Sequence, residues 1–216
     1  MKSSQAFWDK LASRYAKRPI KDEKSYQRKL AITQAYFRPD WSVLEFGCGT
    51  GSTAIIHAPY VRHILATDIS GRMLEIAASK ARDAGIDNIS FRQGTLDSLV
   101  LEAESFDAVL GLNILHLLDD VDGTIERVYG LLRPGGVFVS STALLGDMKL
   151  HWRLLIRAMQ VLGFAPFVNC FDKNTLLSML TATGFSIDQE WQPGKESVFI
   201  VAKKEHDTAP SQGGFR

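Results

Sequence analysis

The first forty residues of the chain alternate apolar and polar positions with a helical period. Trp8, Leu11 and Tyr15 lie at positions i, i+3 and i+7, while lysines and arginines occupy the opposite positions. Pro19 interrupts this pattern, and a second helical run follows over residues 22–37. The spacing therefore predicts two amphipathic helices ahead of the rest of the chain.

After residue 40, short apolar runs alternate with helical stretches. The runs that predict strands are Ser42–Phe46, His63–Thr67, Ile89–Arg92, Ala108–Leu112, Gly136–Thr142, Phe185–Trp191 and Ser197–Lys203. The stretches that predict helices are Ser52–His57, Gly71–Ala84, Val121–Leu132, His151–Leu162 and Asn174–Thr183. Apolar strands separated by helices are typical of a parallel sheet covered on both faces. Gln192–Lys195 predicts a hairpin turn, so we expect an α/β fold whose seven-stranded, mostly parallel sheet ends in an antiparallel hairpin strand.

We expect these elements to form one domain. Residues 41–204 carry the α/β pattern, and the helices of residues 1–40 are expected to cover it as part of the same domain. An insertion over about residues 143–171 is rich in apolar and aromatic side chains and is expected to act as a lid. The polar segment 205–216 is expected to be a disordered tail.

Composition excludes several classes of protein. Of the 216 residues, 45% are hydrophobic and 23% are charged, which excludes disordered and coiled-coil proteins. Two cysteines are too few for a disulfide framework, and no apolar run is long enough to span a membrane. The N-terminus also lacks the apolar stretch of a signal peptide, so we expect a cytoplasmic protein.

A glycine-rich turn carries the strongest chemical signal. The run Val43–Phe46 predicts a buried strand, and Gly47, Gly49 and Gly51 follow it at alternate positions before a helix begins. Glycines allow a tight turn and let a ligand approach bare backbone, while the helix N-terminus favours an anionic group. Ser52 stands where the dinucleotide pattern requires a third glycine. A nucleotide-like ligand other than NAD is therefore favoured, with a purely structural turn as the alternative.

An acid at the end of the next predicted strand supports a ligand site. Asp68 lies 21 residues after Gly47, where its carboxylate can accept hydrogen bonds from a ribose diol. The alternative is an acid at a helix start, with Ser70 as the cap. Ile69 and Met73 are placed either to pack on a flat heterocycle or to fill the core.

These motifs resemble those of a known family. Glu45–Gly51 and Asp68–Leu74 are similar to the first two motifs of the class I S-adenosylmethionine-dependent methyltransferases. The later segments that agree are Phe106–Val109, Asn113–Leu118 and Leu132–Gly136, and Phe7–Tyr15 resembles the N-terminal cover of the small-molecule and quinone-type branch. The resemblance extends from Phe7 to Lys204. It implies a Rossmann-like sheet and methyl transfer from S-adenosylmethionine to a small molecule by in-line displacement, with S-adenosylhomocysteine as product and without a metal. The apolar and aromatic character of the predicted lid and the N-terminal helices favours an uncharged, lipophilic or aromatic acceptor.

The resemblance also assigns cofactor contacts. It implies that Gly47, Gly49 and Gly51 lie along the methionine part, with the backbone of Asn113 nearby, and Cys48 of the same turn is counted among the cofactor contacts. It further implies that Glu45 holds the turn, or the cofactor amino group through water, and that Asp68 binds both ribose hydroxyls. Ile69 and Met73 are expected on adenine, and Tyr15 is expected to close over the cofactor.

One position departs from the family pattern. Relatives often place an acid after the third strand to bind the adenine amino group, whereas this chain has Thr95 there. Three alternatives remain: a contact from Thr95, a contact from Asp97, or recognition by the backbone of Leu96.

Catalytic residues are less strongly indicated. His116 lies three residues beyond Asn113 and is the candidate general base, with a packing or capping role as the alternative. Tyr15 and Tyr26 are candidates to orient the acceptor, with core packing as the alternative. His151 could face the acceptor from the predicted lid or lie exposed to solvent. An RNA methyltransferase and a non-catalytic cofactor-binding subunit are the alternative functions.

Charge is distributed unevenly along the chain. Residues 1–38 contain ten basic and three acidic residues, a net charge of +7, so the remainder carries −6 within a total of +1. Because the aromatic side chains of this segment should face inward, most of the basic residues are expected on a solvated outer face. Lys29 or Arg28 is a candidate to turn inward toward the cofactor carboxylate. Peripheral membrane contact through these helices is a further expectation; a nucleic-acid partner is not expected, and the sequence does not indicate an oligomeric state.

Overall fold

The structure, a computed structural model, describes residues 2–146 and 167–206. The predicted helix His151–Leu162, His151 itself, most of the predicted lid and the tail beyond His206 lie outside the described residues. Within the described ranges, every helix is too short or too polar to cross a membrane.

The described chain alternates helices and strands. The helices are α1 (Lys2–Ala16), α2 (Glu23–Gln34), α3 (Ser52–His57), α4 (Gly71–Asp83), α5 (Val121–Leu131) and α6 (Lys173–Thr183). The strands are β1 (Ser42–Phe46), β2 (His63–Asp68), β3 (Ile89–Gln93), β4 (Phe106–Leu112), β5 (Leu132–Ala143), β6 (Phe185–Gly194) and β7 (Ser197–Lys204). Short 3-10 turns occupy Ala58–Tyr60 and Leu115–Leu117.

The strands form one seven-stranded sheet in the order β3-β2-β1-β4-β5-β7-β6. Strands β1 to β5 pair in parallel, whereas β7 pairs antiparallel with both β5 and β6. The predicted α/β class and the mostly parallel sheet with one antiparallel strand are confirmed. Because the chain reverses its direction across the sheet between β1 and β4, a crevice opens at the carboxyl ends of these two strands, where α/β proteins bind ligands.

Both faces of the sheet are buried, as the apolar strands predict. Leu44 and Phe46 of β1 belong to one apolar cluster, and Val43 of the same strand belongs to a second cluster on the other face. Alternate side chains of a strand point to opposite faces, so each face needs its own layer of helices. The carboxyl edge of the sheet is therefore the region left for polar chemistry.

Some predicted boundaries are wrong by a few residues. Helix α2 ends at Gln34 rather than Phe37, because the amides of Tyr36 and Phe37 donate to the carbonyls of Thr33 and Gln34 and tighten the chain into a turn. Strand β5 begins at Leu132 rather than Gly136. The C-terminal hairpin turns at residues 195–196, since Gly194 still pairs with Ser197.

The N-terminal helix is joined to the sheet layer through the start of α4. Asp9 accepts a hydrogen bond from the Ser70 hydroxyl at 2.6 Å and another from the backbone N–H of Arg72 at 3.3 Å. Ser70 is the N-cap of α4, since its Oγ accepts from the N–H of Met73 at 3.1 Å. Ala12 of α1 is almost completely buried. Helix α1 therefore lies over the carboxyl edge of the sheet.

A buried lysine joins the last strand to the centre of the fold. Lys204 is 7% exposed, and its ammonium donates to the carbonyls of Leu132 at 2.8 Å and Tyr129 at 3.2 Å. It also pairs with Glu104 at 3.0 Å. The end of β7 is thereby attached to the junction between α5 and β5.

We expect Lys204→Met to lower the free energy of unfolding by about 2 kcal/mol or more, because the carbonyls of Leu132 and Tyr129 lose their charged donor. Lys203→Met is the matched control. Its ion pair with Asp188 is part-exposed, so its loss should cost less than about 1 kcal/mol. Urea denaturation measures both, and equal effects of the two substitutions would contradict this role of Lys204.

Candidate active site

A cavity of about 490 Å³ opens at the carboxyl ends of β1, β2 and β4. We call it the glycine-turn cavity. The predicted cofactor contacts at its wall are Gly47, Gly49, Asp68, Ile69, Met73, Thr95, Leu96, Asn113 and Tyr15. The structure thus brings most of the predicted site together in a space of the size that binds small molecules.

Three predicted contacts lie behind the wall of this cavity. Glu45 is 3% exposed and Cys48 is 9% exposed, and the Cys48 side chain belongs to one of the apolar clusters. Gly51 faces Ala77 of α4. The structure therefore gives Cys48 and Gly51 supporting positions beneath the turn rather than positions along the cavity.

The glycine turn depends on left-handed backbone. Gly47, Gly49 and Gly51 have φ values of +65°, +55° and +70°, which glycine adopts without steric cost. A Cβ at Gly51 would lie 2.7 Å from the Cβ of Ala77, whereas a Cβ at Gly49 would meet only Tyr15, at 3.7 Å. The absence of a side chain at Gly51 therefore allows α3 to pack closely against α4. The absence of a side chain at Gly49 leaves its backbone accessible from the cavity.

Asp68 is held in place by the backbone. One carboxylate oxygen accepts from the N–H of Gly49 and the other from the N–H of Ser70, both at 2.9 Å. Each oxygen keeps a second lone pair for a ligand hydroxyl. Burial raises the pKa of Asp68, and the two backbone N–H groups act in the opposite direction. Ser70, and not Asp68, caps α4, so the Asp68 carboxylate is available to a ligand in the cavity.

Glu45 is a buried carboxyl group with an unsatisfied oxygen. Its Oε2 has no hydrogen-bond partner among the described residues. Burial, and secondarily the charge of Asp68, raises the pKa of Glu45 to about 8. The carboxyl group is therefore neutral at pH 7, and a cation placed beside it would favour its ionised form.

The loop after β3 narrows the alternatives for adenine recognition. The Thr95 hydroxyl accepts from the N–H of Ser98 at 3.2 Å, and the Thr95 N–H donates to the Ser98 hydroxyl at 2.8 Å. Thr95 is thus engaged within its own turn. Asp97 lies at the cavity wall beside Leu96, so the carboxylate of Asp97 and the backbone of Leu96 are better placed than the Thr95 hydroxyl to meet a ligand.

The candidate base lies away from the cavity. His116 occupies the 3-10 turn after β4, and its ring is not among the residues that line the described cavities. Its Nδ1 is buried without a partner in the described chain, and burial lowers its pKa. Its carbonyl accepts from the N–H of Asn169 at 2.7 Å. The geometry supports the alternative packing role more than catalysis.

Tyr15 is positioned to cover the cavity. Its ring stands edge-on to Trp8, with centroids 6.3 Å apart, and 40% of the residue is exposed. Burial of the hydroxyl side raises its pKa. The exposed fraction leaves Tyr15 able to contact a ligand beneath α1.

A second cavity, of about 540 Å³, lies under α2 at the ends of β4 and β5. We call it the lysine cavity, because Lys29 enters it and donates to the Ser141 hydroxyl at 2.8 Å. Leu112 and Asn113 line both cavities. Of the two basic residues predicted to turn inward, Lys29 does so, whereas Arg28 lies over the ring of Trp191 at 4.2 Å.

Sequence reasoning missed the partners of these groups. The bonds from Ser70 to Asp9 and from Lys29 to Ser141 join residues 61 and 112 positions apart. Helical spacing favours Lys29 over Arg28 as the residue that turns inward, since Lys29 lies three residues after Tyr26 on the same face of α2. The pattern of the predicted strand gave no indication that Ser141 would contact a residue of α2. In residues 2–146 and 167–206, no cluster of three or more His, Cys, Asp or Glu side chains is arranged to hold a metal ion.

We expect Gly51→Ala to lower the free energy of unfolding by about 2 kcal/mol or more, through left-handed strain and the contact with Ala77. Gly85→Ala is the matched control. Gly85 has a similar φ of +67° but nothing near its added Cβ, so that variant should show the strain alone, about 1–2 kcal/mol. Thermal unfolding compares the two. Equal losses would show that the close approach of α3 and α4 is unimportant.

The sequence profile described as a methyltransferase domain matches residues 43–136. The uncharacterized methyltransferase YcgJ of Bacillus subtilis is 34% identical over 110 residues, 51% of this chain and 44% of that protein. A ubiquinone biosynthesis O-methyltransferase of Methylocella silvestris is 35% identical over 124 residues, 57% of this chain and 48% of that protein. The aligned part thus spans about half the length of these curated relatives.

Solved structures share the fold. The crystal structure of YcgJ superposes with a TM-score of 0.70 at 19% identity, covering 83% of this chain and 99% of that chain. A phosphoethanolamine N-methyltransferase of Haemonchus contortus, solved with S-adenosylhomocysteine, gives a TM-score of 0.72 at 16% identity over 84% of this chain and 53% of that chain. Residues 43–136 thus match a methyltransferase domain, and the fold of the chain is that of solved methyltransferase structures.

Proposed function

We propose that the protein transfers a methyl group from S-adenosylmethionine to a small-molecule acceptor. The observation that carries this proposal is the carboxylate of Asp68. It stands at the wall of the glycine-turn cavity, oriented by the N–H groups of Gly49 and Ser70 at 2.9 Å. A carboxylate fixed in this way is complementary to the two hydroxyls of a ribose.

The cavity residues fit this cofactor. The unsatisfied carboxyl oxygen of Glu45 lies beneath the turn, where a cationic ligand group would balance it. When bound, S-adenosylmethionine supplies a methyl group on a positively charged sulfur, which departs as a neutral thioether. The protein therefore needs to position the reactants more than to activate the donor.

Each wall of the cavity has a distinct task under this proposal. Asp68 holds the ribose, while Ile69 and Met73 offer apolar surface to adenine and Asp97 accepts from its amino group. Tyr15 and Trp8 of α1 exclude water from above. The bond between Ser70 and Asp9 keeps α1 over the cavity.

The acceptor enters from the lysine cavity. This cavity meets the glycine-turn cavity at Leu112 and Asn113, so a molecule there would lie beside the reacting end of the cofactor. Ile20, Leu30 and Pro193 give its wall apolar surface, which favours an acceptor with a lipophilic or aromatic body. Tyr26 lines the same cavity and is the candidate to orient the acceptor, and its hydroxyl lies 3.3 Å from the hydroxyl of Thr53.

We expect Asp68→Asn to weaken the binding of S-adenosylmethionine by about 100-fold or more. The substitution replaces a charged acceptor of two hydrogen bonds, each worth about 1.5–3 kcal/mol, by an amide. Asp83→Asn, on the exposed end of α4, is the matched control and should bind as the wild type does. Isothermal titration calorimetry measures the affinity. Unchanged binding by Asp68→Asn would remove the residue from the site and undermine the assignment of the cofactor.

The affinity for S-adenosylmethionine should rise with pH over the range below about pH 8, by up to about tenfold per unit. Glu45 has a pKa of about 8 in the free protein, and a bound cation lowers it, so binding releases a proton throughout this window. Glu45→Gln has no proton to release and should lose that part of the pH dependence. The same slope in both proteins would contradict a role for Glu45 in cofactor binding.

The same carboxyl group should cost stability in the free protein. Above pH 4.5 the unfolded state loses the Glu45 proton while the folded state keeps it up to about pH 8. Stability therefore falls with rising pH in this window by up to about 1.4 kcal/mol per unit, and Glu45→Gln should remove this component. Urea denaturation at several pH values tests the point independently of ligand, and a wild-type profile that matches Glu45→Gln would refute the raised pKa.

A further inference from the structure

The lysine cavity contains a cation that no described carboxylate contacts within 4.0 Å. Lys29 is half-buried, and no ion pair within 4.0 Å joins it to an acid in residues 2–146 and 167–206. Its described hydrogen bond is the one to Ser141, so the ammonium group retains donors for a ligand. Burial also lowers its pKa, and the charge of Asp22 offsets this effect only in part.

The partner of Lys29 is itself fixed. Ser141 is 1% exposed, and its hydroxyl donates to the side-chain carbonyl of Asn113 at 3.3 Å while accepting from Lys29. The N–H of Asn113 donates to the carbonyl of Ser141 at 2.6 Å, and Asn113 has a left-handed φ of +58°. Asn113 thus couples the lysine to the point where the two cavities meet, in a backbone conformation that concentrates at functional sites.

The acids of the lysine cavity lie at its rim. Asp22 and Glu196 are exposed, and Asp22 already accepts from the N–H of Ser25 at 3.0 Å as the cap of α2. Lys195 is exposed beside Glu196. Buried His57 also lines the cavity, and its pKa is lowered to about 4, so it is neutral at pH 7. Lys29 therefore provides the interior charge, and that charge is positive.

The sheet order places Ser141, the partner of Lys29, two strands beyond the glycine turn and next to Asn113 at the end of β4. Asp68 lies at the end of β2 and Gly49 after β1, so the proposed cofactor extends from β2 toward β1. Ser141 lies on β5, two strands from β1 in the order β1-β4-β5. At about 4.8 Å per strand, the lysine is anchored about 10 Å beyond the glycine turn.

We propose that the methyl acceptor carries an anionic oxygen group, a carboxylate or a phosphate, and that Lys29, oriented by Ser141, binds it. This inference rests on the proposed function and specifies its substrate class. Lys29 donates to the anion while Ser141 holds its ammonium group in place, and the apolar wall receives the rest of the acceptor. An uncharged acceptor would leave the half-buried ammonium group with the exposed Asp22 carboxylate, which forms no ion pair with it, as its counter-charge.

Small aromatic probes test the acceptor class in the presence of saturating S-adenosylhomocysteine. Benzoate and phenyl phosphate are the anionic probes, and benzamide is the neutral isostere of benzoate. Binding is followed by NMR titration to the wild type, Lys29→Met, Lys29→Arg and the exposed control Lys24→Met on the same helix. We expect the wild type and Lys24→Met to bind at least one anion about tenfold or more tighter than benzamide. Lys29→Met should lose this preference and Lys29→Arg should keep part of it.

Several outcomes would overturn the inference. They are equal binding of acid and amide by the wild type, no binding of either anion, and an undiminished preference in Lys29→Met. A further outcome concerns the cofactor itself. Methylthioadenosine lacks the amino-acid part of S-adenosylmethionine. If Lys29→Met binds S-adenosylmethionine more weakly but binds methylthioadenosine as the wild type does, Lys29 binds the cofactor carboxylate and the inference is wrong. In each case the proposed function stands if the wild type binds S-adenosylmethionine, whereas failure of that binding would refute both.

Discussion

The attachment of the Asp68 carboxylate to the backbone is the interaction on which the rest of the site depends. Its two oxygens accept from the N–H groups of Gly49 and Ser70 and so connect the turn after β1 to the start of α4. The Ser70 hydroxyl continues the connection to Asp9 on α1. One chain of hydrogen bonds therefore aligns the floor, the side and the cover of the cavity, and it is possible because Gly49 adopts a left-handed conformation.

This arrangement places two carboxyl groups in a region with little water. Glu45 and Asp68 each have a raised pKa because of burial, and the charge of Asp68 further disfavours ionisation of Glu45. Such a pair costs stability in the free protein and becomes favourable when a cation is bound nearby. Lys29 has the opposite charge in the adjoining cavity. The molecule thus presents negative potential to one reactant and positive potential to the other, with Asn113 between them.

Local features were predictable from the sequence, and long-range contacts were not. Strand β1 and helix α3 have the predicted boundaries, because an apolar run and a glycine turn are defined by neighbouring residues. The position of Cys48 and Gly51 behind the cavity depends on α4, which the turn itself does not reveal. The bond between Lys29 and Ser141 depends on how α2 lies across β5. Charge and spacing mark a residue as a candidate, but only the packed fold determines which of its faces meets a ligand.

The position of β7 has a consequence for the order of assembly. This strand follows β6 in the chain, yet it lies between β5 and β6 and pairs with both. During synthesis, β5 and its neighbours emerge well before β7, so an unpaired edge of β5 persists until residue 204 is available. Long-range pairing of this kind is slow, and an open strand edge is prone to pair with other chains. The hairpin also provides Gly194 and Ser197 to the lysine cavity, so the wall that receives the acceptor is completed only when the sheet closes.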